Sequence, residues 1–373
     1  MYKIKFISPK KNEVIVLDTI TSEYTKYCLP KNIDYCEIGY RNEINIILNI
    51  KFFLFFAYYF YKTKKITLSS ILSLCNVKDA KVVISNIDNS KLISMINSYN
   101  NKISVIMIQN GLRSPNKRHG WDQIRRLPIF FGFGKYDEEL LRFMKISVDE
   151  YISSGSLKFG IYRENYSLEN IKYESKYNIS YISQFRENLE FNDKHKKWYD
   201  HKKKTLPYLE KLDSGFKIIL NDVTESPIGK KEIEFYKKME FLEKDKIFLK
   251  KNKNDFSSYI HCDNSKILVT YFSALAFEFY GTGAKVLFLG EIPDVKEIGQ
   301  DFMGFMNNLP DCLKVTSNNL EEIKSKLNYL QNISDSEFLE LTHSSRNYLM
   351  TYQKDFTHQL VKKKIIKILN DQK

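Results

Sequence analysis

Short apolar, β-branched runs recur along the chain, each bounded by polar turns and followed by a stretch long enough for a helix. In the first half they fall at 3–8, 13–17, 81–85, 104–109 and 129–132; in the second at 178–183, 216–221, 246–249, 267–270, 285–289 and 313–316. Helical stretches such as 137–144, 232–242, 274–281 and 320–330 lie between them. Runs such as VVI, SVIMI, ILVTY and VLFL are apolar at consecutive positions, as a strand requires when helices cover both faces of its sheet. Strand, helix and strand in repetition predict parallel βαβ units and a doubly wound α/β architecture.

A charged segment, 162–177 (YRENYSLENIKYESKY), separates two sets of these units. It predicts two Rossmann-like domains facing a central cleft, 1–165 and 166–343, with 344–373 forming a C-terminal helix that packs back on the first domain. The most apolar segment, 44–61 (INIILNIKFFLFFAYYFY), is interrupted by Asn45, Asn49 and Lys51. A membrane span needs about 20 predominantly apolar residues, so this segment reads as a core helix.

With 373 residues and 43% apolar composition, the chain has material for two well-filled cores, which excludes a disordered or low-complexity protein. Five scattered cysteines without a CxxC pair give neither a disulfide framework nor a zinc module. Lysines and an acidic residue stand where a signal peptide would be apolar, so a cytoplasmic location is expected. The net charge of +13 predicts attraction to something anionic, whether nucleic acid, an acidic leaflet or a phosphorylated substrate. No RNP-like, zinc-finger or helix-turn-helix signature accompanies it, and the lysines are spread over many segments, so nucleic acid is not an expected partner.

In an open α/β sheet, ligands bind beyond the carboxyl ends of the strands, where loops and helix N-termini present unpaired N–H groups. The residues just after each predicted strand are therefore the candidates. In the first domain they are Asp88, which could equally be a helix N-cap, and Asn110 and Arg113, which suit an anionic or hydroxylated ligand. In the second they are Ser183, Gln184 and Arg186. Arg186 is placed either for a phosphate or for an ion pair with Glu187 or Glu190. The loop 221–226 follows the next strand and could equally be a turn with Asp and Ser caps, and Lys251 belongs to a charge run or else faces the ligand. The segment 259–290 is the most informative. A strand ends in Tyr271-Phe272-Ser273-Ala274, small residues open a helix where a phosphate could approach the N-terminus, and Glu278 lies one turn on, in reach of ribose hydroxyls. The plainer alternative makes Ser273 only a cap and Glu278 exposed. His261 precedes this strand and would contact base or phosphate, or else be a packed histidine. His195 and His201 lie in a basic stretch and read as surface residues.

In these residues the chain resembles the GT-B glycosyltransferases, more narrowly the bacterial capsule and O-antigen group. TYFSALAFEF is similar to the group's donor-nucleotide segment, and IDNS, IQNGLR, FFGFG and SGSLKFG to its first-domain loops. Kdo-type transferases and, more distantly, teichoic-acid polymerases are related. The polymerases carry a His-Gly motif and an Asp-Tyr-Ser-Ser run where this chain has Gln109-Asn110-Gly111 and Thr270-Tyr271-Phe272-Ser273, a departure that favours sugar transfer over polyol-phosphate transfer.

The resemblance implies a nucleotide-sugar donor, CMP-activated Kdo-like sugars among the candidates, and an oligosaccharide or lipid-linked glycan acceptor, with peripheral contact at an anionic membrane. It makes Asp88 the candidate base on the acceptor hydroxyl, with Asn110 and Arg113 beside it. Arg186, Ser273, Ala274 and Lys251 would hold the phosphate, Glu278 the ribose, and Tyr271 would line the donor pocket. Without an Asp-x-Asp motif, no metal or other cofactor is expected. A CDP-polyol phosphotransferase and a non-catalytic glycan-binding protein are the alternatives.

Overall fold

The computed structural model describes residues 3–19, 21–41, 43–113, 121–166, 176–187, 193–241, 247–252, 256–293 and 303–372. The chain forms two compact units, one of residues 1–111, 115–161 and 351–373, the other of 112–114 and 162–350. The division falls between Ile161 and Tyr162, inside the helix Leu157–Asn165 and at the leading edge of the segment expected to separate two domains.

The first unit holds β1 (Lys3–Phe6), β2 (Val14–Leu17), β3 (Tyr35–Ile38), β4 (Glu43–Ile46), β5 (Val82–Ser85), β6 (Ser104–Ile108), β7 (Arg126–Gly132) and β8 (Ser147–Ser153). Six of them make one sheet in the order β3-β2-β5-β6-β7-β8, every pair parallel, while β1 pairs with β4 apart from it. β2 and β5 are buried at every position, which their apolar runs VIVL and VVI require. β3, β4 and β8 were not anticipated: YCEI, EINI and SVDEYIS mix charge with apolar residues, and β3 and β8 are the sheet's edges, where one side of the strand is left to solvent.

The second unit holds β9 (Tyr177–Ile182), β10 (Lys217–Ile219), β11 (Phe248–Leu249), β12 (Ser265–Thr270) and β13 (Lys285–Phe288), all parallel, in the order β11-β10-β9-β12-β13. The strand expected at 313–316 is instead a short 3-10 turn, Asp311–Leu313, followed by a single parallel bridge from Lys314 to Phe288.

Each sheet reverses direction once. In the first, the chain runs outward from β2 to β3 and resumes on the other side at β5; in the second, it runs from β9 through β10 to β11 and resumes at β12. The second sheet has the Rossmann order and the first the flavodoxin-like one, and the crevice at such a switch point is where open α/β sheets bind ligands.

The C-terminal region divides later than 344. The helix Asp335–Leu349, opened by a Ser334–Glu337 capping box, stays with the second unit, where Ser345 Oγ meets Tyr280 OH. The helix Thr357–Asp371 belongs to the first: Thr357 Oγ1 donates to the Ser154 carbonyl at 2.7 Å, and Lys364 pairs with Glu150. Gly155 permits this docking, because its φ of +75° is left-handed and a β-carbon there would stand 2.5 Å from the Tyr352 ring.

The segment 44–61 is not a core helix. Its first residues belong to β4, and Asn49 then caps the helix Ile50–Thr63 by accepting the Lys51 N–H. Phe52, Tyr59 and Thr63 are buried, whereas Phe53, Leu54, Tyr58 and Tyr61 are exposed. Among the described residues no helix is long and apolar enough to cross a membrane.

Candidate functional site

The second unit's switch point is built by the ends of β9 and β12, which lie side by side with Val269 opposite Tyr181. Past β12 the chain turns at Ser273 and enters the helix Ala274–Gly281. Ser273 has extended backbone angles and its carbonyl accepts the Ala276 N–H at 3.1 Å, but its side chain makes no capping bond. Ser273, Ala274 and Leu275 are partly exposed, whereas 276–281 are buried. The opening turn of the helix, whose first N–H groups have no partner within the helix, is therefore its accessible part.

Gln184 joins the two strand ends. Its side-chain carbonyl accepts the Phe272 N–H at 3.0 Å and the Thr270 hydroxyl at 3.3 Å. Ser183 faces the other way. Its hydroxyl donates to Glu232 and lies 2.8 Å from Tyr236 OH, so it braces β9 against the helix Pro227–Lys237. The Glu232 carboxylate also accepts the N–H groups of Asn221 and Asp222, both at 2.9 Å, and so fastens the ends of β9 and β10 together. Burial pushes its pKa up, against the pull of those hydrogen bonds. Ser226 caps the same helix, as the sequence led one to expect.

Arg186 is exposed beyond β9, and Glu187 pairs with Lys231; Glu190 lies outside the described residues. Lys251 reaches back to the Asn221 carbonyl, and its backbone N–H bonds Thr224 Oγ1 at 2.8 Å, which ties the loops after β10 and β11. His261 sits in the last turn of the helix Ser257–Asp263 with Nε2 at 2.9 Å from the Lys250 carbonyl; since a carbonyl only accepts, Nε2 carries the proton.

Three expectations are corrected by burial. The Tyr271 ring points into the core against Tyr181 and Trp198, with its hydroxyl 2.7 Å from His201 Nδ1. His201 is accordingly a buried residue and not a surface one; the side chain of His195 lies outside the described residues. Glu278 is buried, not exposed, and accepts the hydroxyl of Tyr259 from the helix before β12 at 2.7 Å. One residue was not foreseen at all. Lys202 is buried with its ammonium 3.7 Å from the centre of the Trp198 ring, and burial pushes its pKa down to about 7, against the pull of the Glu232 charge. A helical period of buried positions, Trp198, His201, Lys202, Thr205, Leu206 and Leu209, was the signal for this face.

In the first unit, Asp88 is fully buried after β5 and its carbonyl accepts the Trp121 indole N–H at 3.1 Å. It is not the helix cap: Ser90 caps the helix Lys91–Tyr99. Asn110, exposed after β6, donates to the Asn86 carbonyl at 2.9 Å, so the structure brings the loops of Asp88 and Asn110 together. Arg113 is buried and groups with the second unit. Gln109 is a brace, with its amide donating to Asp137 at 2.8 Å and its carbonyl accepting the Phe133 N–H at 3.2 Å. Sequence reasoning passed over Asp18, which follows β2 at the first unit's switch point in a left-handed conformation, φ +85°, with Arg41 3.0 Å from its buried carboxylate. An acidic residue directly after VIVL was the available signal. Among the described residues no group of three or more His, Cys, Asp or Glu side chains could hold a metal ion.

No protein-family model matches the chain, and no curated protein matches it. Solved structures do. The wall teichoic acid polymerase TagF is similar over 98% of this chain and 91% of that one, at 13% identity and a TM-score of 0.59. A co-structure of S. aureus MnaA with UDP is similar over 97% and 96%, at 14% identity and a TM-score of 0.56. The UDP-GlcNAc 2-epimerase from Methanocaldococcus jannaschii is similar over 96% and 99%, at 14% identity and a TM-score of 0.52. This likeness shows the fold, which is GT-B.

Proposed function

We propose that the chain is a glycosyltransferase that moves a sugar from a nucleotide-activated donor to a surface glycan, with the donor nucleotide held by the second unit. One observation carries the reading: an accessible helix opening, Ser273 and Ala274, at the switch point of a parallel sheet. Unpaired N–H groups and the helix dipole favour a phosphate there. With its carbonyl committed to Phe272 and Thr270, Gln184 offers only N–H donors to a ligand, and these suit phosphate oxygen or a base carbonyl. Arg186, past the end of β9, and Lys251, past the end of β11, supply positive charge as the leaving phosphate gains negative charge, so the reaction runs without a metal. Asp88 is the proposed base for the acceptor hydroxyl, because it leaves one of the two strands that flank the first unit's switch point.

A second reading, transfer of a polyol phosphate, is favoured by the likeness to TagF, one variant of which was soaked with CDPG. The two are separated by incubation of the chain with CDP-glycerol, CMP-activated Kdo-type sugars and UDP-sugars. Consumption of a nucleotide sugar supports the first reading and consumption of CDP-glycerol the second. A chain that neither binds nor consumes any of them is no transferase of this kind.

A further inference from the structure

The helix Ile50–Thr63 is apolar on two opposite faces. Phe52, Tyr59 and Thr63 are buried towards the helix Ile66–Lys78, whose Asn76 donates to Tyr59 OH at 2.9 Å. On the opposite face Ile50, Phe53, Leu54, Ala57, Tyr58 and Tyr61 follow the helical repeat i, i+3, i+4, i+7, i+8, i+11, and all are exposed, Leu54 to 65% and Tyr61 to 76%. At a rise of 1.5 Å per residue the strip is about 16 Å long. Exposed Leu48 and Ile66 stand just beyond its two ends. A continuous apolar strip of this kind marks an interaction surface and not a solvated face.

Its charge says what it meets. Lys51 stands at the start of the helix and Lys62, Lys64 and Lys65 at its end, and the chain has no acidic residue between Glu43 and Asp79. The Lys62 and Lys64 ammonium groups lie 4.4 Å and 4.5 Å from the centres of the Tyr58 and Tyr61 rings, so the basic rim borders the aromatic strip directly. We infer that this face docks on an anionic lipid bilayer, with the helix lying in the plane of the interface. Its rings and aliphatic groups enter the headgroup boundary while its lysines contact acidic headgroups. The helix has 14 residues and does not span. A second copy of the chain fits the face less well, since a two-fold contact sets the lysines of both copies around one apolar seam with no acidic group of this segment to neutralise them. The inference is independent of any catalytic role.

The test is sedimentation of the full chain with phosphatidylcholine vesicles, with and without phosphatidylglycerol. Binding is expected at least about ten-fold tighter with phosphatidylglycerol and falling as salt is raised. The double variant Leu54→Asp/Tyr61→Asp, at exposed positions, is expected to lose at least about ten-fold of it at an unchanged melting temperature. Lys64→Ala/Lys65→Ala is expected to lose roughly thirty-fold, at about 1 kcal/mol per lysine. Both native tryptophans, Trp121 and Trp198, are buried, so a Tyr61→Trp variant reports the face separately, and its added emission is expected to shift to the blue on phosphatidylglycerol vesicles. Unchanged vesicle binding by the Asp variant, an unshifted emission from the introduced indole, or a dimer that the same Asp variant dissolves would each overturn the inference.

Discussion

Gln184 and Phe272 are joined across the second unit's switch point: the side-chain carbonyl of the one accepts the backbone N–H of the other at 3.0 Å. The first unit repeats the device, with Gln109 accepting the Phe133 N–H at 3.2 Å. In each case a glutamine just past one strand holds the loop that follows its parallel neighbour. The accessible helix opening at Ser273 is thereby fixed in place by a side chain that can also address a ligand.

Replacement of Gln184 separates these two duties. Gln184→Leu strands a backbone donor, costs about 1–3 kcal/mol and lowers the melting temperature. Gln184→Glu keeps an acceptor for Phe272 but puts a negative charge beside the proposed phosphate. It is expected to hold the wild-type melting temperature while weakening nucleotide binding at least about ten-fold, as titration calorimetry will show. Equal nucleotide affinity in Gln184→Glu and wild type would remove Gln184 from the ligand's surroundings.

Lys202 gives a pH dependence with a definite sign. Its pKa falls from 10.5 to about 7 on folding, chiefly by burial. Between those values the unfolded chain binds the proton that the folded chain has released, so stability rises with pH across that window. Below about pH 7 both states are charged and the cost is constant. Lys202→Met is therefore expected to be more stable than wild type at pH 7, by up to a few kcal/mol at about 1.4 kcal/mol per pKa unit, and to lose the rise. Urea unfolding at a series of pH values from 6 to 10 checks this, and an identical pH slope in the Met variant contradicts it.

Asp88 is the proposed base in spite of its burial. Asp88→Asn preserves the side chain's size and is expected to leave nucleotide affinity unchanged while lowering transfer by about 10²–10⁴-fold. Full turnover in that variant would pass the role elsewhere, first to Asp18 at the neighbouring strand end.

The sheets were legible wherever burial on both faces forced unbroken apolar runs, as in VIVL, VVI, VIMI and ILV, and the helix Ala274–Gly281 was legible from the small residues at its start. The first sheet's two edge strands were not, because YCEI and SVDEYIS need cover on one side only and so carry charge. The site was less legible than the fold. A sequence shows that Glu232, Lys202 or Glu278 is charged, but whether a charged group faces water or is enclosed and hydrogen-bonded depends on the neighbours that packing brings. Tyr271 and Gln184 both lie at strand ends, yet one turns to the core and the other to the crevice. The segment 44–61 failed in the opposite sense. Its apolarity shows that cover is wanted on every side, and the fold supplies cover on one.

The most direct test of the account is nucleotide binding at Ser273. Titration of wild type with CMP, CDP, UDP, GDP and dTDP is expected to show one preferred nucleotide, and Ser273→Glu, which sets a carboxylate at the helix opening, is expected to weaken that nucleotide at least about a hundred-fold without lowering the melting temperature. Undiminished affinity in Ser273→Glu, or no binding of any of the five by wild type, would contradict it.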